Sequence, residues 1–302
     1  ATPEARLFRV SPALQFNSFN RGRQFNGDSY YRASNPPKGA ILDYWLDPAV
    51  MVVPDSEQPP PVSLEIFDLD GARVRSLDLP QGAESPGSHR VVWDMRYGPS
   101  YVPPEGEGGT VRGPWVLPGE YEARLTVGGK VRSQSVVIEP DPSVSISNED
   151  RLYWHDTQLA VSQLLGTVRS ALANAKMLDT LVSSAEQAVG ADLGEAQDAR
   201  NEVKRMRSEV DVVTEDLGQI ASRLASAYSG MQASTSLPTD DQIKAGQLGY
   251  EQLTERLNTL NWLVAEGLSL LNERLDAEGI PWSMGRSVIM QVTALPRPPT
   301  RR

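Results

Sequence analysis

EYEARLTVGGKVRSQSVVI, residues 120–138, is the stretch whose reading decides the fold. Tyr121, Ala123, Leu125 and Val127 alternate with polar neighbours. Successive side chains of a strand point to opposite faces, so this alternation predicts a strand with one buried face. Gly128 and Gly129 separate it from KVRSQSVVI, and paired glycines supply the positive φ of a tight hairpin turn. Upstream, AILDYWL (40–46), VSLEIFDL (62–69), ARVRSLDL (72–79) and HRVVWDM (89–95) are short runs rich in β-branched and aromatic residues between Pro and Gly, and Asp70-Gly71 marks a second hairpin. Val62, Leu64 and Ile66 alternate in the same way. About seven short strands over roughly a hundred residues predict an antiparallel β-sandwich of immunoglobulin type, spanning residues 36–142. It opens at NPPKG (35–39), whose prolines fit neither a central strand nor a helix interior. The insert YGPSYVPPEGEGGTVRGPWVLP (97–118) is dense in Pro and Gly and reads as a loop.

DPSVSISNED (141–150) ends the sandwich, and Ser147 or Asn148 can cap a helix with Glu149 and Asp150 in its first turn. Leu164, Val168, Leu172, Ala175, Leu178, Val182, Ala185 and Val189 then recur at helical spacing. In a second helix Val203, Met206, Val210, Val213, Leu217, Ile220, Leu224, Ala227 and Met231 alternate steps of three and four, the seam of a coiled coil. Pro238 and Asp240 start a third, with Tyr250, Leu253, Leu257, Leu260, Val264 and Leu271, stopped by Gly279 and Pro281. A three-helix antiparallel bundle over 147–279 buries the three stripes together. The expected fold class is thus multidomain, all-β followed by all-α, with an N-terminal arm (1–35) and a basic tail (280–302) holding one further strand, VIMQV.

The net charge of -10 is unevenly placed. Residues 1–35 carry five Arg against Glu4 and Asp28, and residues 280–302 four Arg and no acid. Residues 148–279 carry eleven basic and twenty-one acidic side chains. An acidic body repels phosphate backbones, which argues against nucleic acid as a partner. With no cysteine, disulfides, thiolate zinc sites and cysteine nucleophiles are excluded. No apolar run approaches the ~20 residues of a membrane span. The start at Ala1 in ATPEA suits either a mature product of A-x-A-like cleavage or a trimmed chain.

Chemistry-bearing motifs are few. His89 and His155 are the two histidines, and neither lies in a recognisable triad motif. DLDG (68–71) lacks the oxygen spacing and distant Glu of a calcium loop, and EGEGGT lacks the Lys-Ser or Lys-Thr of a phosphate loop. Asp43, Asp94, Glu105, Glu107 and Glu120 are candidate carboxylates for glycoside hydrolysis, as in any acidic sandwich. Trp45, Trp93 and Trp115 would serve a carbohydrate-binding module if exposed. No cofactor or metal is expected.

The N-terminal arm stands out. Phe8, Phe16, Phe19 and Phe25 are four of the five phenylalanines, and FNSFNRGRQFNGDSYY (16–31) shows neither helical nor strand period. Arg21 and Arg23 lie between its rings, and Tyr30 and Tyr31 follow. Aromatic and Arg enrichment marks interface hot spots, so these residues are candidate partner contacts, the alternative being that they wrap their own sandwich. Arg297, Arg301 and Arg302 in LPRPPTRR are further candidates, for a partner groove or anionic lipid.

NPPKGAILDYWL, VSLEIFDLDGARVRSL, HRVVWDMRY, PGEYEARLTVGGK and VVIEPDP together resemble the C-terminal region of bacterial sortilin-like (VPS10/BNR-repeat) proteins. These are often labelled glycosyl hydrolases, and an immunoglobulin-like domain similar to that of the flagellar hook-capping protein follows their β-propeller. The likeness covers roughly residues 35–160. It implies an exported protein, periplasmic or otherwise, and it implies that the module bearing any catalytic site, the propeller, is missing. The expectation is a non-catalytic structural or adaptor subunit, soluble or peripherally attached to a membrane complex. The alternatives are a carbohydrate- or cell-surface-binding module and a carboxylate-based hydrolase.

Overall fold

Gly128 and Gly129 adopt φ of 53° and 79°, and the chain reverses there between β7 (Gly119–Val127) and β8 (Lys130–Pro140), which pair antiparallel with Val127 opposite Lys130. The computed structural model describes residues 5–16, 37–51, 61–103, 110–191 and 196–282. Asp70-Gly71 makes the turn between β4 (Val62–Phe67) and β5 (Arg73–Ser76), with Gly71 at φ 82° and the Asp68 carboxylate accepting from the Ala72 amide. β3 (Ala40–Leu46) and β6 (Gly87–Trp93) pair antiparallel over seven residues.

Two strands lie where the sequence reading placed an arm. β1 (Ala5–Leu7) pairs antiparallel with β3, and β2 (Ala13–Gln15) pairs with β8 in parallel, a departure from the all-antiparallel expectation. Three residues are too few to display a period, and partner strands fix their register. The sheets run β1-β3-β6 and β2-β8-β7-β4-β5. Among the described residues the fold is eight strands in two sheets followed by three helical stretches.

α1 (Asn148–Ala191) is capped by the Ser147 hydroxyl, which accepts from the Asp150 amide at 3.0 Å. α2 is Gln197–Gln232. α3 (Asp240–Trp262) starts with a capping box in which Thr239 and Gln242 satisfy each other's backbone amides. One π-helical turn, Leu263–Gly267, joins α3 to α4 (Leu268–Ala277).

The described residues divide into two compact units: residues up to Pro99 with Gly113–His155 and Gln232–Leu237, and Ser100–Arg112 with Asp156–Met231 and the residues from Pro238 onward. In the first, inward residues of both sheets share one apolar cluster, including Leu42, Tyr44, Leu64, Ile66, Leu125 and Trp154. Trp93 is fully buried edge-to-face on Tyr121, with centroids 5.2 Å apart. In the second, the stripes of α1, α2, α3 and α4 share another cluster, which Val111 and Tyr101 of the insert join. Arg207 on α2 bonds Asp179, Ser183 and Glu186 of α1, and Arg256 on α3 bonds Asp216 of α2 at 2.9 Å.

Candidate interaction surface

Residues 5–16 supply an edge strand to each sheet of the first unit. Ala5, Leu7, Val10 and Ala13 point inward and are buried. Gln15 is buried too, its amide nitrogen donating to the Val116 carbonyl at 2.8 Å. Gln134 of β8 donates to the Leu7 carbonyl at 3.2 Å, so β1 and β2 both meet the same strand. The side chains between these anchors face outward: Arg6, Phe8, Arg9, Leu14 and Phe16. Phe8, Leu14 and Phe16 are 45%, 39% and 36% exposed. The Lys38 ammonium lies 6.0 Å from the Phe16 ring centroid, the outer limit of cation–π attraction. Anchored inner residues thus hold an outer strip of three apolar side chains and two arginines, with no acid between them.

The strip continues onto the outer face of the three-stranded sheet. Arg6 sits opposite half-buried Trp45, and Trp45 opposite Ser88. The Phe8 amide donates to the Asp43 carbonyl at 2.9 Å. Arg90 grips the Asp43 carboxylate with two hydrogen bonds, 2.7 and 2.9 Å, and this guanidinium holds the Asp43 carboxyl below the usual carboxylate range.

Of the residues singled out in the sequence, Phe8 and Phe16 are brought into this strip. Phe19, Arg21, Arg23, Phe25, Tyr30, Tyr31, Arg297, Arg301 and Arg302 lie outside the described residues, as do Glu105, Glu107 and VIMQV. Sequence reasoning passed over Arg6, Arg9, Leu14 and Lys38; the signal was the alternation of Ala5, Leu7 and Ala13, Gln15 with exposed neighbours, over too few residues to register.

The other candidates have structural surroundings. Trp93 and Trp115 are buried, so neither ring offers a flat exposed platform. Trp93 Nε1 donates to the Arg96 carbonyl at 2.9 Å, while the buried Arg96 guanidinium stacks 3.8 Å over Trp115 and donates to the Gly113 carbonyl and to Gln232. Asp94 is paired with Arg75 at 2.8 Å. His89 contacts the Ser85 carbonyl and the Tyr44 ring, and buried His155 contacts the Tyr97 hydroxyl at 3.3 Å. Between α2 and α3 a shallow groove of about 660 Å³ is lined by Gln219, Ser222, Arg223, Ser226, Ala227, Asp241, Gln242 and Ala245, with Asp241 the one carboxylate among them. Among the described residues no cluster of three or more His, Asp or Glu could hold a metal ion, and no helix is long and apolar enough to cross a membrane.

Set against known proteins, the chain matches no family model, no curated protein sequence and no solved structure.

Proposed function

We propose that the protein is a non-catalytic structural or adaptor subunit that binds other proteins in a larger exported or membrane-associated assembly. The observation that carries this reading is the strip of residues 5–16, where buried anchors hold Phe8, Leu14 and Phe16 in solvent beside Arg6 and Arg9. Exposed aromatics framed by arginine are the residue types that dominate interface energetics. The finer architecture belongs to the same proposal: the two sheets form an immunoglobulin-like sandwich, and the helices an antiparallel bundle. Its support is the shared core of the two sheets and the Tyr121 hydroxyl, which donates back to the Leu117 carbonyl at 2.7 Å in the manner of a tyrosine corner. The resemblance to the C-terminal region of sortilin-like proteins supplies the expectation of export. One concrete form is an extrinsic periplasmic subunit bracing a respiratory or photosynthetic complex.

The carbohydrate-binding alternative has less support, because two of its three tryptophans are core residues. For the hydrolase alternative, Asp43 and Asp94 are held by arginines, and Asp43 is shifted away from the raised pKa of a general acid.

The test is to isolate the protein from its native envelope in mild detergent, weigh the particle and identify its companions by mass spectrometry. The expected result is co-migration with other subunits at fixed stoichiometry. A 33.0 kDa species without companions would overturn the reading.

A further inference from the structure

We infer that Arg96 is a clasp through which the sheet core and the helical core open together rather than one at a time. The alternation of β6 carries buried Val91 and Trp93 and half-buried Val92 and Asp94, then breaks: Met95 and Arg96 are buried in succession. Met95 stands at φ 58°, a left-handed conformation that is sterically costly for a residue with a Cβ and persists only where its surroundings hold it. The Val116 amide holds it, donating to the Met95 carbonyl at 3.0 Å. As a bulge does, the break re-aims the next side chain, and Arg96 is the one it buries.

A buried guanidinium is unfavourable unless its N–H groups are met. Arg96 lies 3.8 Å over the Trp115 ring and donates to the Gly113 carbonyl at 3.0 Å and to the Gln232 side chain. Both acceptors stand where the chain passes from one core to the other. Val111 belongs to the helical cluster and Trp115 to the sheet cluster, and Gly113 lies between them. That passage has no slack: a Cβ on Gly113 would strike the Tyr97 carbonyl, and the Tyr97 amide donates to the Pro114 carbonyl at 3.0 Å. Gln232 ends α2 and directly follows Met231 of the helical cluster. A third passage, from Trp154 to Val161, runs inside α1 without a break. Opening the helical core therefore withdraws Gln232 and strips a buried cation of an acceptor, a penalty that ties the two openings together.

Hydrogen exchange of the full chain across a urea series tests this, read by mass spectrometry on peptides from β7 and from α2. Coincident opening at separate probes marks one cooperative unit. The wild type is expected to open β7 and α2 at one midpoint. Arg96→Met keeps an apolar stem without the donors, and Gln232→Ala removes one acceptor; each is expected to part the two midpoints, Arg96→Met by more. Met95→Gly adopts a positive φ freely but leaves a cavity, so it is expected to lower both midpoints equally. Separate midpoints in the wild type overturn the inference. So do midpoints that stay together in both Arg96→Met and Gln232→Ala, which would make Arg96 a packing residue only, or that part as far in Met95→Gly as in Arg96→Met. Gln232 is only half-buried, so Gln232→Ala decides the matter if Arg96→Met fails to fold.

Discussion

The helical unit and the sheet unit satisfy their backbone hydrogen bonds over different distances along the chain. α2 by itself contributes buried residues from Ala199 to Met231 at three- and four-residue steps, so its share of the core comes from one local stretch. Both cores join distant positions, Ala5 to Trp154 in the sheets and Val111 to Ile280 in the helices. A helix satisfies its backbone internally, whereas a strand must wait for a partner brought in by loop closure. The difference teaches that the strands need distant partners even to satisfy their backbones, while the helices need them only to bury their apolar stripes.

The sharpest way to break that comparison is Trp93→Ala. The ring is fully buried, packs on Tyr121 and anchors the Arg96 carbonyl. Removing a buried large aromatic costs about 3–5 kcal/mol. Chemical denaturation should report that loss, and hydrogen exchange should place it in the amides of β3, β4 and β7. A loss under about 1 kcal/mol, against that range for an aromatic truncation, would mean the sheets hold without this contact and the contrast with the helices is overdrawn.

Two glycines sharpen it within the helical unit. A Cβ on Gly166 of α1 would stand 2.5 Å from the Ser100 carbonyl oxygen, and backbone cannot swing aside as a side chain can. Gly218 of α2 would place its Cβ in open space. Helix propensity alone stabilises both Gly→Ala changes by about 0.8–1.0 kcal/mol. The clash works against this at Gly166, where an overpacking cost of roughly 1–3 kcal/mol leaves a net destabilisation of up to about 2 kcal/mol. Thermal melts of Gly166→Ala and Gly218→Ala should therefore move in opposite directions. Equal shifts would show that the insert around Ser100 yields freely.

These residues also show what was legible in the sequence. The helical stripes could be read because their period repeats over many turns, and both hairpins because Gly-Gly and Asp-Gly specify a turn locally. β1 and β2 could not, since three-residue strands carry no period. The 97–118 insert read as a loop, yet Tyr101 and Val111 bridge one another and pack on the helical core. Likewise the start of α1 gives Trp154 to the sheet core. Such contacts are set by tertiary structure, and nothing in local composition announces them. Of the interaction strip, the aromatic excess flagged Phe8 and Phe16, while Arg6 and Arg9 gained meaning only once their neighbours were seen to be buried.

A smaller effect is expected at the third helix, where the capping box makes an isolated, local contribution. Thr239→Ala removes the oxygen that accepts from the Gln242 amide and should cost about 1 kcal/mol. Thr239→Asn, which keeps a capping oxygen, should recover most of it in the same urea titration. A full loss in both variants would mean that the threonine packs rather than caps.

The smallest effect belongs to the exposed pair on the outer face of the three-stranded sheet, and its pH dependence is the informative part. Arg90 lowers the Asp43 pKa in the folded chain, chiefly through their hydrogen bonds. A carboxyl depressed on folding contributes stability that is fully present above its unfolded pKa, about 3.9, and is lost as pH falls through the folded value. The wild type and Asp43→Asn should therefore differ in melting temperature by a constant amount at neutral pH and converge in acid. Because both side chains are largely solvated, high salt should shrink the neutral-pH gap. Melting curves that stay parallel from neutral pH into acid would assign the effect of Asp43→Asn to the cross-strand contact of β3 with β6 rather than to charge. The pair would then join the sheet unit's long-range packing contacts.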